Sequence, residues 1–365
     1  MKSGVLEEQG KIAPSPEDDW MKNDLLVTLA DSNYVDKAKQ LFSSVYWNAG
    51  WKGDYLLLVY DIPEKDLRWF KDKGILVREC EAVLTKSDNY IGHAPLTTLC
   101  KFYLFTPEFK KWENIVFLDG DIIVRGSLDA LAQVKGFGAI RILNIFRTSL
   151  QGQFHDRNRN NEHLFNELER KCDLSRPAFN SGVMAFCTDI ISEEDFKNIK
   201  NNLLHFKDIL FIAEETVLNM YFYDKWQEMS QVYNICPSYE IFHSGCSPDN
   251  LKGIVSHTYS NFPGGKPWNP KSPLNSEWKS NLDKADMIDF VNPQAPKRIL
   301  SKKEEAAYDF YLKNQHKRYF YKFYRYKIFY LFWFRLNKLK IRAATFLINN
   351  YPQVYKLQRK LRNRT

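Results

Sequence analysis

NIVFLDGDIIV, Asn114 to Val124, is the stretch on which the reading of this chain turns. A short apolar run rich in β-branched and aromatic residues fits a strand. It ends in Asp119-Gly120-Asp121, and a second apolar run follows at once. On an extended backbone the side chains at i and i+2 point the same way, so both carboxylates are expected to face one ligand across Gly120, which leaves room for it. Two hard oxygen donors of this kind suit Mn2+ or Mg2+, and an ion held between them can bridge a nucleotide diphosphate. A lone D-x-D is otherwise a polar turn at a strand end. Its place in the chain has to decide between the two.

Upstream, DLLVTLA (24–30) reads as a strand, and Tyr34, Ala38, Leu41, Phe42 and Val45 then recur at helical spacing. The alternation continues with DYLLLVYDI (54–62), a helix opened by Pro63 and running to about Lys73, ILVREC (75–80) and a helix near 95–106. Strands alternating with helices predict an α/β fold with a doubly wound, mixed but mainly parallel sheet. Ligands of such sheets sit beyond the carboxyl ends of the strands, here just after Ala30 and Leu118. The acidic pair is where a ligand site belongs.

Downstream, PAFNSGVMAF (177–186) brings Asn180, Ser181 and Gly182 to the start of another apolar strand. IVSHTYSNFPGGKPW (254–268) places His257 after an apolar run and follows it with Gly264, Gly265 and Lys266. A neutral imidazole is a good third metal ligand, glycines let backbone N–H groups approach a phosphate, and a lysine can neutralise a departing diphosphate. Taken singly, such a histidine is more often a satisfied core or surface residue, and G-G-x-P is more often a turn.

Together, and in this order, these segments resemble glycosyltransferase family 8, the group that includes glycogenin and the bacterial lipooligosaccharide galactosyltransferases. The resemblance covers about residues 24–290, through TLADSNY, Lys101, VFLDGDIIV, FNSGVMAF, a helix opening EETVLN, and HTYSNFPGGKPW. It implies a GT-A fold and a uridine-binding first loop at Thr28, Leu29, Ala30 and Tyr34, with Tyr34 stacked on the base. It further implies Lys101 as the basic residue on the sugar phosphate, Asp119, Asp121 and His257 as metal ligands, and Asn180 on the donor sugar. Gly120, Ser181, Gly264, Gly265 and Lys266 then line the nucleotide-sugar, and the catalytic group is Glu215, Asn180, Glu214 and Lys266. Two departures stand out. Glu214 and Glu215 occupy places where relatives usually carry Asp-Gln, and His257 and Lys266 are nine positions apart, a wider spacing than the family's. A few extra loop residues cost little. His243 is the nearby competitor for the metal, but it follows no comparable strand.

With 365 residues, 44% hydrophobic and 26% charged, the chain can bury a substantial core, which excludes disordered, collagen-like and disulfide-scaffold classes. Cys80, Cys100, Cys172, Cys187, Cys236 and Cys246 form no C-x-x-C pair and read as reduced. The opening MKSGVLEEQGKIAPSPEDDW has no apolar signal-peptide core, and the longest apolar run, Ile328 to Phe334, is far shorter than the roughly 20 residues of a membrane span. A cytoplasmic protein with only peripheral membrane contact is the expectation. Residues 302–365 hold 17 Lys/Arg against 3 Asp/Glu, a surplus of 14 in a chain of net +8, so the rest carries −6. Aromatic residues crowd the same tail, 17 of the chain's 55, as in a helix lying at an anionic membrane surface. Nucleic acid is attracted by the same composition, but the acidic body argues against it.

The sequence therefore predicts a loose leader over 1–23, a GT-A catalytic domain over 24–295 and a basic, aromatic helical tail over 296–365. The activity expected is metal-dependent, retaining transfer of a hexosyl group from a UDP-sugar to a glycan or glycolipid acceptor, such as lipopolysaccharide or another surface glycan. An inactive family member that binds lipid or glycan is the alternative. A haloacid-dehalogenase-like phosphatase also uses D-x-D after an apolar strand, but there the strand opens the domain and a further acidic pair follows.

Overall fold

The apolar runs form strands where their pattern predicts them: β1 (Asp24–Ala30), β2 (Asp54–Val59), β3 (Leu76–Glu79) and β4 (Asn114–Leu118). The computed structural model describes residues 24–84, 95–143, 148–236, 253–258, 265–323 and 351. β1 to β2 crosses over through α1 (Val35–Ala49), and β2 to β3 through α2 (Glu64–Asp72), so the first four strands run parallel. The segment expected as a helix near 95–106 is instead a run of 3-10 turns, Leu96–Phe105. Pro107 follows, and the residue before a proline is pushed out of the helical region; Thr106 is extended, with φ −96° and ψ 150°.

Three later strands complete the sheet: β6 (Phe137–Arg141), β7 (Phe179–Cys187) and β8 (Trp226–Glu228), giving the order β3-β2-β1-β4-β7-β6-β8. β7 runs antiparallel to both neighbours, with Leu118 opposite Val183. This orientation carries the start of β7 to the carboxyl end of β4. Two further strands, β5 (Ile122–Val124) and β9 (Val255–His257), pair antiparallel as a separate ribbon, with Ile122 opposite His257. That register sets the histidine beside the acidic pair.

Alternate side chains of a strand enter opposite layers of the core. Leu25, Val27, Leu29, Ile115 and Phe117 join one apolar cluster, while Leu26, Ala30, Val116 and Leu118 join the other with Ala38, Leu41, Phe42 and Val45 of α1. Each buried Val, Leu, Ile or Phe among them contributes about 1.5–3 kcal/mol, so the strand ends that carry the acidic pair are firmly held. The β5 strand is fastened by α1 and by the helix Asn275–Asp283. Val124 N–H donates to Ser44 Oγ at 3.1 Å, Asn48 Nδ2 donates to Val124 O at 2.8 Å, and Arg125 forks onto Glu277 at 2.8 and 2.9 Å.

The last helix of the described residues is Lys302–Phe323, whose first turns are part of the body. Tyr308 and Leu312, one helical turn apart, are buried in the second cluster. Glu305 accepts from Tyr233 Oη at 2.7 Å, and Asp309 accepts from Gln231 N–H at 2.8 Å. The leader 1–23 and residues 324–350, with most of the aromatic run, lie outside the described residues. Among the described residues no helix is long and apolar enough to cross a membrane.

Candidate active site

Asp119-Gly120-Asp121 is a turn and not the extended segment expected from its sequence. Ile122 N–H donates to Asp119 O at 3.2 Å, and Asp119 N–H donates to Gly182 O at 2.9 Å. The chain has to reverse between β4 and β5, and Gly120 takes the crowded inner position. A Cβ there would lie 3.2 Å from Tyr34 Cδ1 and 3.8 Å from Leu29 O, so the first loop packs against this turn.

The two carboxylates have different partners. Asp119 Oδ1 receives Lys101 Nζ at 2.9 Å. Lys101 comes from the 3-10 run, is 1% exposed, and also donates to Ser181 O and Oγ, each at 3.3 Å. Burial works against its charge, yet Asp119 and Glu214 outweigh that and hold its pKa above the ordinary lysine value. Asp121 faces His257, with Nε2 3.1 Å from Oδ1, while Lys266 binds its Oδ2 and also Thr258 O at 2.6 Å. Burial would raise the Asp121 pKa, but His257 and Lys266 together hold it well below the usual carboxylate range. His257 Nε2 is 4.0 Å from Asp119 Oδ2.

The antiparallel β7 supplies Asn180, Ser181 and Gly182 to the same spot. Asn180 Nδ2 donates to Glu215 Oε2 at 2.7 Å, and Ser181 N–H lies 3.4 Å from that oxygen. Glu214 and Glu215 stand in the first turn of the helix Ala213–Tyr221, where the positive end of the helix dipole favours acidic residues. Both are buried. Burial, then the neighbouring Glu215 and Asp119, push the Glu214 pKa up against the pull of Lys101. Thr98 Oγ1 donates to Glu214 Oε2 at 3.1 Å.

Of the first-loop residues, Tyr34 lies beside the acidic turn. Its ring meets Trp268 edge-on, centroids 5.7 Å apart, and Lys37 Nζ is within 5.9 Å of the Tyr34 centroid. Thr28 and Ala30 are buried in the sheet below, and the Thr28 hydroxyl donates to Leu118 O at 2.7 Å. Gly265 adjoins Asn269 beside Lys266, whereas Gly264 and His243 lie outside the described residues. The sequence reading passed over two residues of this site. Asn234 Oδ1 accepts from His257 Nδ1 at 2.9 Å, and nothing in the surroundings of Asn234, QVYNIC, singles it out. Trp268 sits inside the GGKPW segment, whose glycines and lysine are the residues that suggest phosphate contact.

Asp119, Asp121 and His257 each offer one atom, all within 4.8 Å of one another. Asp121 Oδ1 is buried and, apart from His257 Nε2 at 3.1 Å, faces no hydrogen-bond partner among the described residues. Two carboxylates and an imidazole are a donor set that fits a hard or borderline divalent ion, so the residues present suit the metal their pattern implies.

The model for Glycosyl transferase family 8 matches residues 25–272, more than half of the chain. The chain belongs to glycosyltransferase family 8. Glycosyltransferase GlyB of Streptococcus pneumoniae serotype 4 is 24% identical over 269 residues, covering 68% of this chain and 58% of that protein. The chain thus spans less than two thirds of that relative's length. Among solved structures, the WbbM bifunctional glycosyltransferase in its apo form aligns with a TM-score of 0.52 at 16% identity, over 71% of this chain and 49% of that one. The galactosyltransferase LgtC, in complex with donor and acceptor sugar analogues, aligns with a TM-score of 0.50 at 18% identity, over 71% and 95%. At these identities the likeness establishes the fold, which is GT-A.

Proposed function

We propose that this protein is a metal-dependent, retaining glycosyltransferase that moves a hexosyl group from a UDP-sugar to a hydroxyl of a glycan or glycolipid, such as lipopolysaccharide or another surface glycan. The observation that carries the reading is the convergence of Asp119, Asp121 and His257 within 4.8 Å at the carboxyl end of β4, in a family 8 chain. Mn2+ or Mg2+ held there would supply positive charge for the diphosphate that departs in the transition state. Lys266 adds a second cation on the same side, and Lys101 one beside Asp119. Tyr34, with Trp268 at its edge, offers an aromatic surface for uracil. Asn180 and Glu215 form the pair that meets the donor sugar, and Glu214 shares Lys101 with Asp119.

A panel of UDP-sugars tests this directly, because donor hydrolysis needs no knowledge of the acceptor. UDP release that depends on added Mn2+ and disappears in Asp121→Ala is expected. Absence of turnover with every donor would leave an inactive, ligand-binding family member. UDP affinity in Asp121→Ala equal to that of the wild type, by calorimetry, would remove the metal assignment.

We also propose that the catalytic unit runs from residue 24 through the buried first turns of the Lys302–Phe323 helix, beyond the boundary at 295 expected from the sequence, and that the basic, aromatic chain after it binds the cytoplasmic face of an anionic membrane. Each Lys or Arg near such a leaflet adds about 1 kcal/mol. Because Tyr308 and Leu312 belong to the core, truncation should fall after Phe323 and not before the helix. The shortened protein should keep donor hydrolysis and stop sedimenting with anionic vesicles. Persistent sedimentation would move the membrane contact elsewhere.

A further inference from the structure

A metal-ligating imidazole has to present a lone pair, and which ring nitrogen carries the proton is set by the partner of the other. For His257 the assignment can be traced from a group that cannot turn round. Gly182 N–H donates to Asn180 Oδ1 at 3.0 Å, so that end of the Asn180 amide is its oxygen. The other end is then the NH2, which donates to Glu215 Oε2 at 2.7 Å. Asn180 Oδ1 also faces the amide of Asn234 at 2.9 Å, and only an NH2 can be a partner for it there. The Asn234 oxygen is therefore turned toward His257, 2.9 Å from Nδ1. An amide oxygen has no proton to give. Nδ1 must donate, which leaves Nε2, 3.1 Å from Asp121 Oδ1, as the nitrogen that an ion can take; with no ion there, Asp121 is an acceptor for a proton on Nε2.

We propose that Asn234, which belongs to none of the sequence motifs, is a positioning residue that keeps a proton of His257 on Nδ1 and turns Nε2 toward Asp119 and Asp121, so that an ion held between them meets the Nε2 lone pair. Its own orientation comes from Asn180 and, through it, from the backbone of Gly182. Asn234, Glu215 and His257 are at most 5% exposed, so a reversed amide would leave buried polar atoms facing like atoms. The relay also links the pair assigned to the donor sugar, Glu215 and Asn180, to the histidine assigned to the metal. Its purpose rests on the metal reading above, and ion binding is measured beside the tautomer so that the two can fail separately.

The full chain, labelled with 15N in its seven histidines, is examined with the diamagnetic Mg2+ and UDP by long-range 15N–1H correlation, and His257 is identified by the signal missing in His257→Gln. The Nδ1–H pattern is expected in the wild type and in Asn234→Asp, which keeps an oxygen opposite Nδ1. It should be lost in Asn234→Leu. In the presence of UDP, Mn2+ affinity followed by electron paramagnetic resonance should weaken about 10–100-fold in Asn234→Leu and less in Asn234→Asp. An Nε2–H pattern in the wild type overturns the proposal, as does an unchanged tautomer in Asn234→Leu. If Asn234→Leu does not fold, Asn234→Ala takes its place, and the wild-type spectrum still decides the tautomer. The Nδ1–H pattern in a protein that binds no Mn2+ would sustain the relay and sink the metal reading.

Discussion

Lys101 Nζ lies 2.9 Å from Asp119 Oδ1 and 3.7 Å from Glu214 Oε1, so one buried cation ties the end of β4 to the first turn of the Ala213–Tyr221 helix. Lys101→Met keeps much of the volume and leaves two acidic groups in the site without their counter-charge. Removing one partner of a buried ion pair costs about 3–5 kcal/mol, and urea unfolding at neutral pH should show a loss of that order. Adding Glu214→Gln should restore part of it, since one of the stranded charges is then gone. Stability unchanged in Lys101→Met would mean that the cation serves the ligand alone and holds nothing together.

Acid should act on this site through Asp121. Its pKa is lowered in the folded protein from an ordinary value of 3.8, against the effect of burial, by His257 and Lys266. Between the folded and unfolded values the unfolded chain binds more protons, so stability rises with pH there. The contribution is fully present above the ordinary value and is lost as pH falls through the depressed one. The stability gap between wild type and Asp121→Asn should therefore be largest near about pH 7 and shrink toward about pH 2. A gap that stays constant over that range would show that the carboxylate gains nothing from its two partners.

Gly182 is held to glycine by the site itself. A Cβ there would lie 2.3 Å from His257 Cε1, 2.8 Å from Asn180 Oδ1 and 2.9 Å from Asp119 Oδ2. None of the three is free to give way, because each is tied into the network around the metal ligands. Gly182→Ala should cost about 1–3 kcal/mol by overpacking and lower Mn2+-dependent UDP-sugar hydrolysis by about 100-fold or more. Gly74→Ala is the comparison: its φ of 79° strains an alanine, but no atom lies within 4 Å of the added Cβ. It should lose about 1 kcal/mol of stability and no hydrolysis. Equal effects in the two variants would make the Gly182 result a matter of general stability.

The parallel half of the sheet was legible because β1, β2 and β4 are apolar runs separated by helices with a clear period, and the acidic pair follows the last of them. The rest depends on contacts between distant segments. β5 and β9 are three residues each, too short for any period, and only their pairing brings His257 to the acidic turn. The reversal at Asp119-Gly120-Asp121 follows from that pairing, so the i, i+2 argument on an extended backbone missed it. Asn234 acts through a side chain that touches two others far away in sequence, and it lies in no motif. In the tail, Tyr308 and Leu312 mark the buried face of a helix, but the density of aromatic residues around them hides the spacing.

Glu215 stands where the resemblance to the family implies a glutamine, and its surroundings show what a carboxylate there can do. Oε2 accepts from Asn180 Nδ2 at 2.7 Å and lies 3.4 Å from Ser181 N–H, with the side chain 3% exposed. Both contacts need an acceptor, and the amide oxygen of a glutamine is one. Glu215→Gln should therefore keep the Asn180 orientation, and with it the His257 tautomer, and change UDP-sugar hydrolysis by less than about tenfold, or about 1.4 kcal/mol of barrier. The carboxylate is then a hydrogen-bond acceptor that orients Asn180. A loss of about 100-fold or more, with the tautomer intact, would instead require the negative charge itself, as a stabiliser of an oxocarbenium-like centre or as the group that attacks it. Measuring the tautomer beside the rate separates the two, because a misplaced Asn180 would move both while a missing charge would move only the rate.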